Sequence, residues 1–318
     1  MKSIFRIATA ATLITSSVLA ADKIVTEFPP VKDEFIPKID AALPTEAVVK
    51  PKSPRKILLF SRTEGFSHGS IPCGIYTITK MGEKTGAYSV VQSGDMEMFS
   101  PDKLKEFDAV FFNNTTGLKF NEEQRKALLD FVRGGKAMIG IHSATDNFPN
   151  WDEGQACIGG KFDGHPWGAG DTVAVKIDDP ANVLNKPFGG QGFWIKDEIY
   201  QMDKHYKRDD RRVLMSLDMS KPQNARGPKK EGEKSPIHRE DNDFGIAWIR
   251  KEGAGRVFYS SLGHNNEVFW TPQVLEHWLA GIQYALGDLD ADATPLAEYK
   301  PALAPDEVKV LQRPDTAK

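Results

Sequence analysis

Over its first half the chain alternates short apolar runs with segments of helical spacing. Lys56-Ile57-Leu58-Leu59-Phe60 is an apolar run, Ile71, Ile75 and Ile78 recur at helical intervals, and Tyr88-Ser89-Val90-Val91 reads as a strand. Ser100-Pro101 supplies an N-cap and a first-turn proline for a short helix. Asp108-Ala109-Val110-Phe111-Phe112 predicts a third buried strand, and Asn121 caps a helix carrying Ala127, Leu128, Phe131 and Val132 that Gly134-Gly135 ends. A fourth strand follows at Lys136-Ala137-Met138-Ile139-Gly140-Ile141. Runs this apolar have no polar face to offer water, so four of them joined by crossovers predict a parallel, doubly wound sheet.

The second half carries a different period. Thr172-Val173-Ala174-Val175-Lys176-Ile177 alternates in twos, as do segments near 213–218, 244–250 and 256–261, which predicts antiparallel additions to the sheet. The polar stretch 219–243 reads as a solvated loop, because glutamates interleave its lysines and no aromatic offers to stack a base. Thr271-Pro272 opens a last helix with Leu275, Trp278, Leu279 and Ile282 on one face, closed by Gly287. The folded unit is thus 55–287, preceded by a Pro-rich extended arm, 21–54, and followed by a tail, 288–318.

Ahead of the arm, Lys2 and Arg6 precede an uncharged run from Ile7 to Ala20 ending in Val18-Leu19-Ala20. Residues 1–20 have the order of a secretory signal peptide, too short for a membrane span of roughly 20 residues, with cleavage before Ala21 and a periplasmic or secreted product. No stable membrane span is expected after cleavage. A net charge of −3 gives no general attraction to phosphate backbones, so nucleic acid is not an expected partner. Of the two cysteines, Cys73 and Cys157, no spacing supports a disulfide; two small buried hydrophobes are the expectation, with a bridge as the alternative.

Ligands of an open parallel sheet bind beyond the carboxyl ends of its strands. Those loops are Ser61 to Gly69 with His68, Asn113 to Gly117, and His142 to Asp146. His165, in Gly164-His165-Pro166-Trp167-Gly168, and His264, just after a late strand, bring to four the histidines at strand ends or tight turns. As a set they point to a site rather than to separate structural roles. No Gly-x-Gly-x-x-Gly follows the first strand, so no nucleotide cofactor is expected. Where a nucleophile elbow would sit, after strand four, the residue is His142; Ser143 next to it lacks the Gly-x-Ser-x-Gly frame. Asp197 and Glu198 are adjacent and would point to opposite faces of a strand, which leaves Glu198 as the site candidate and Asp197 as structural.

Five segments together resemble the ThuA-like, trehalose-utilisation family of the class I glutamine amidotransferase-like superfamily, over about 55–287. They are Gly65-Phe66-Ser67-His68 with Pro72, Gly140-Ile141-His142-Ser143-Ala144, Phe162-Asp163-Gly164-His165-Pro166, Asp197-Glu198-Ile199-Tyr200, and Gly255 to His264. The resemblance implies a flavodoxin-like core whose amidotransferase site has His142 where glutamine hydrolysis needs Cys, so glutaminase activity is not expected. It places His264 at the superfamily's catalytic histidine, with Glu267 near its acidic partner. On that footing His142, His264 and Glu198 are the expected catalytic groups. With His68 and His165 they make either a divalent-metal site, with His142, His165 and His264 as ligands for Zn, Mn or Ni, or a general acid/base pair. The implied substrate is a disaccharide or an oxidised 3-keto glycoside, met by His68, Asn113, Asp146, Trp167 and Tyr200; Trp194 and Trp270 are further candidates for stacking a sugar. The implied activity is that of a lyase, hydrolase or isomerase, and a non-catalytic sugar-binding protein is the alternative.

Overall fold

In strand β1 (Lys56–Phe60), Ile57 and Leu59 face one hydrophobic core and Leu58 and Phe60 the other, so the strand is buried from both sides. The computed structural model describes residues 24–311 apart from 228, 229, 231 and 309; the expected signal peptide lies outside the described residues. Helix α1 (Ile36–Ala42) precedes β1, and α2 (Ile71–Thr85), β2 (Ser89–Ser93), α3 (Pro101–Leu104), β3 (Ala109–Asn113), α4 (Glu122–Arg133), β4 (Ala137–Ile141) and α5 (Asp152–Ile158) follow it. The second half supplies β5 (Thr172–Ile177), β6 (Phe193–Lys196), β7 (Arg212–Leu217), β8 (Gly245–Glu252), β9 (Gly255–Ser260) and α6 (Pro272–Ala285).

These strands form one mixed nine-stranded sheet in the order β2-β1-β3-β4-β9-β8-β7-β5-β6. Strands β2, β1, β3, β4 and β9 run parallel, and every pairing from β9 through β8, β7 and β5 to β6 is antiparallel. The expectation for 256–261 therefore needs correction: β9 is the fifth parallel strand, seated against β4, as well as the antiparallel partner of β8. Its position between two buried neighbours, not its alternation, sets its pairing. Helices α2 and α6 pack in the core on one face and α4 and α5 in the core on the other.

Local signals act as their chemistry requires. Asn121 and Gln124 close a reciprocal capping box at α4, and both cysteines are buried and unpaired. The segment before β1 is not wholly extended: Ile39 and Ala42 of α1 are buried, and Phe35 lies 5.0 Å from the ring of Trp270. The tail follows the sheet edge, with Ala302 bridging to Ile177 and Val310 to Trp194. No helix among the described residues is long and apolar enough to cross a membrane.

Candidate functional site

Parallel strands β1, β3, β4 and β9 all end on the same side of the sheet, and the loops leaving β1, β4 and β9 bring His68, His142 and His264 together there. The chain turns sharply out of β4, and His142 takes that turn at φ 44°, in the left-handed region. For a side chain other than glycine this conformation costs on the order of 1–3 kcal/mol and persists only where its surroundings impose it. The Tyr259 hydroxyl does so by donating to the His142 carbonyl at 2.6 Å, with the Thr145 hydroxyl 3.1 Å from the same phenol oxygen. Gly140 leaves the room, since a Cβ there would come within 2.7 Å of the Ala144 methyl.

The buried His142 ring is oriented by its Nδ1, 3.0 Å from the Ser261 carbonyl oxygen. A carbonyl only accepts, so Nδ1 carries the proton and Nε2 presents its lone pair. That Nε2 lies 3.2 Å from His264 Nδ1 and 3.7 Å from Glu198 Oε1, and His264 Nδ1 lies 3.2 Å from the same oxygen. His264 is placed by a turn in which Gly263 takes φ 131°. Buried Asp197 clamps this turn by accepting the Gly263 and Asn265 backbone N–H groups, each at 2.8 Å. His68 completes the group, its ring centre 4.8 Å from that of His142 and 5.2 Å from that of His264, perpendicular to both. Its Nδ1 is 3.3 Å from Ser143 Oγ and its Nε2 3.5 Å from the Tyr200 hydroxyl.

His68, His142, Glu198 and His264 can each offer one ligand atom with all four lying within 4.8 Å of one another. Bonds of about 2.0–2.1 Å at tetrahedral angles set zinc ligands about 3.3–3.4 Å apart. The 3.2, 3.2 and 3.7 Å triangle of His142, His264 and Glu198 is close to that spacing. Burial, reinforced by His264, pulls the His68 imidazole down to about 4, and burial with neighbouring His68 holds His142 well below its usual value. Both are neutral near pH 7, the form in which an imidazole can bind a metal. Burial also pulls His264 down, but its hydrogen bond to Glu198 and the negative charges of Glu198 and Asp197 together outweigh that and raise it overall. Three imidazoles and a carboxylate suit Zn, Mn or Ni, while one imidazole held neutral beside one that favours its proton is also the pattern of an acid/base pair.

Other expected residues fall into place unevenly. Tyr200 borders the cluster, its ring centre 4.4 Å from that of His142. Asp146 ends the turn that begins at His142, and burial raises its carboxyl to about 6. His165 stands outside the four: half-exposed, it reaches Glu198 Oε2 at 3.4 Å and contacts the carboxylate instead of sharing the cluster. Asn113 is not placed to meet a substrate, since it is fully buried and its amide donates to Ser61 Oγ and the Ile71 carbonyl. Trp167 is likewise no platform; it is fully buried, its indole N–H bonded to the Asn224 carbonyl and its ring packed on Phe244. Trp194 and Trp270 are core residues too. Glu198 is the carboxylate 3.2 Å from His264 Nδ1, Glu267 lies on the surface, and Ser143 faces His68. Nothing in the sequence marks the role of Tyr259, whose hydroxyl fixes the His142 carbonyl from a neighbouring strand.

No curated protein matches the chain. Two solved structures of ThuA-like proteins share its fold. One, from Bacteroides uniformis ATCC 8492, is 21% identical with a TM-score of 0.57 and covers 74% of this chain and 93% of its own. The other, from Parabacteroides merdae ATCC 43184, is 19% identical with a TM-score of 0.53 and covers 74% and 90%. At such identity the likeness speaks for the fold alone. The ThuA family model, described as trehalose utilisation, matches residues 56–285, a span that runs from β1 through α6 and includes all four residues of the cluster. This chain belongs to the ThuA family.

Proposed function

We propose that this protein is an exported carbohydrate-metabolism enzyme acting on a disaccharide, or on a glycoside already oxidised to a 3-keto sugar, by metal-assisted chemistry at His68, His142, Glu198 and His264. The observation that carries the reading is the orientation of His142, whose Nε2 lone pair is aimed by the Ser261 carbonyl at His264 and Glu198. The family's link to trehalose use supports a sugar substrate. Order β2-β1-β3-β4-β9 supports a flavodoxin-like winding of the parallel half, and the charged, then apolar, then small-residue start of the chain supports export.

A divalent ion held by the cluster would polarise a substrate oxygen. The chain's own groups bind, orient and move protons around it. Tyr200, whose phenol burial pushes far above its ordinary value, stays protonated and donates a hydrogen bond; Asp146, at about 6, can take or return a proton near neutrality. A ketone beside the carbon that loses its proton makes elimination, hydration or isomerisation feasible with no nucleophile, which suits a site holding His142 where a glutaminase needs Cys. A second reading, favoured by the opposed shifts of His142 and His264, has these two as base and acid without an ion.

Turnover of trehalose and 3-keto-trehalose, with Zn, Mn or Ni and with EDTA, tests the proposal. Metal-dependent turnover abolished by His142→Ala supports it, metal-independent turnover moves the case to the acid/base reading, and binding without turnover identifies a sugar-binding protein. Terminal sequencing of protein from the native host tests export, with Ala21 as the expected first residue and an intact Met1 as the contrary result.

A further inference from the structure

We propose that Phe66 is the platform on which the second, non-reacting ring of a disaccharide stacks; this rests on the carbohydrate reading above. Phe66 is 67% exposed, the one aromatic among the exposed large hydrophobic side chains of the described residues. A lone exposed hydrophobe is ordinary in itself. Its placement is what matters: the ring stands edge-on to His68 with centres 4.8 Å apart, and His68 in turn lies against His142 and His264.

Phe66 is also fixed there. Its carbonyl accepts from the Thr116 hydroxyl at 2.8 Å, and the preceding residues are pinned to the loop after β3 by the Glu64 N–H donating to the Thr116 carbonyl at 2.8 Å. These bonds hold the loop that carries the ring, and the ring presents an apolar surface to solvent directly beside His68. A pyranose offers the complement, an apolar C–H face bounded by hydroxyls, and an aromatic face beside a polar cluster is the usual form of such a subsite. Of the other aromatics near the cluster, Tyr200 is buried, and Phe162 is engaged already, stacked with His165 at 6.0 Å and tilted on Tyr200 at 4.4 Å. Phe66 reaches the cluster only through His68, which puts a ring stacked on it beyond the reacting one.

Calorimetric titration of the full chain with trehalose, 3-keto-trehalose and the methyl α-glucosides of each reacting ring tests the assignment on wild type, Phe66→Ala and Phe66→Trp. The expected result is that Phe66→Ala weakens a disaccharide about tenfold more than its matching methyl glucoside, and that Phe66→Trp restores the difference. An unchanged ratio in Phe66→Ala overturns the platform while leaving the carbohydrate reading intact. Wild-type protein that binds none of the four sugars overturns the carbohydrate reading, and the platform with it.

Discussion

His142 Nε2 and His264 Nδ1 lie 3.2 Å apart although 122 residues separate them in the chain. The contact exists because β4 and β9 are parallel neighbours, with Ile141 beside Ser260, so that the turns leaving them emerge side by side. Each imidazole is then aimed by a separate brace, and the braces can be tested one at a time.

Tyr259 braces the strained turn at His142. Tyr259→Phe removes the hydroxyl that bonds the His142 carbonyl and Thr145, so zinc affinity should fall by about 10–100-fold, the usual effect of losing a group that orients a ligand. Stability should fall by about 1–3 kcal/mol, the cost of a buried carbonyl left without its donor. Zinc titration and urea unfolding of the same variant measure the two effects; unchanged affinity would remove Tyr259 from the account of the site.

Asp197 braces the turn at His264. Asp197→Ala leaves the Gly263 and Asn265 N–H groups without their acceptor, at a cost of about 1–3 kcal/mol per buried group. Asp197→Asn keeps one carbonyl oxygen and should lose less. Unfolding midpoints in the order wild type, Asn, Ala are expected, with zinc affinity following the same order.

Much of this arrangement was legible in the sequence because it depends on local chemistry. The Asn121 cap, the Gly134-Gly135 stop and the buried runs of β1, β3 and β4 act within a few residues of themselves, and His142 and His264 were identifiable as strand-end histidines. What escaped depends on the opposite face of a long-range contact. The alternation in β9 says nothing of whether its neighbour is β4 or β8, and nothing in Gly164-His165-Pro166-Trp167 shows that Phe244 will cover the indole. Asn113 was expected to meet a substrate from its place at a strand end, but the amino end of α2 occupies that space; a Cβ on Gly74 would lie 2.0 Å from Asn113 Oδ1.

His277 offers a pH test remote from the site. It is fully buried in α6, its Nδ1 bonded to the Leu184 carbonyl, and burial lowers its pKa to about 4. The unfolded chain protonates this residue first, so its contribution to stability is complete above about pH 6.5 and is lost as pH falls towards 4, by at most about 3 kcal/mol. Urea unfolding between pH 7 and 4 should show a shallower acid loss in His277→Gln than in wild type. Parallel profiles would mean that His277 is not held neutral by the fold.

The claim that His68, His142, Glu198 and His264 hold one divalent ion is tested most directly by anomalous diffraction from crystals grown with zinc. One peak per chain is expected within about 2.0–2.2 Å of His142 Nε2, His264 Nδ1 and a Glu198 oxygen, absent from His142→Ala crystals. A saturated wild-type crystal with no peak at this cluster, or with its only peak elsewhere on the chain, would contradict it.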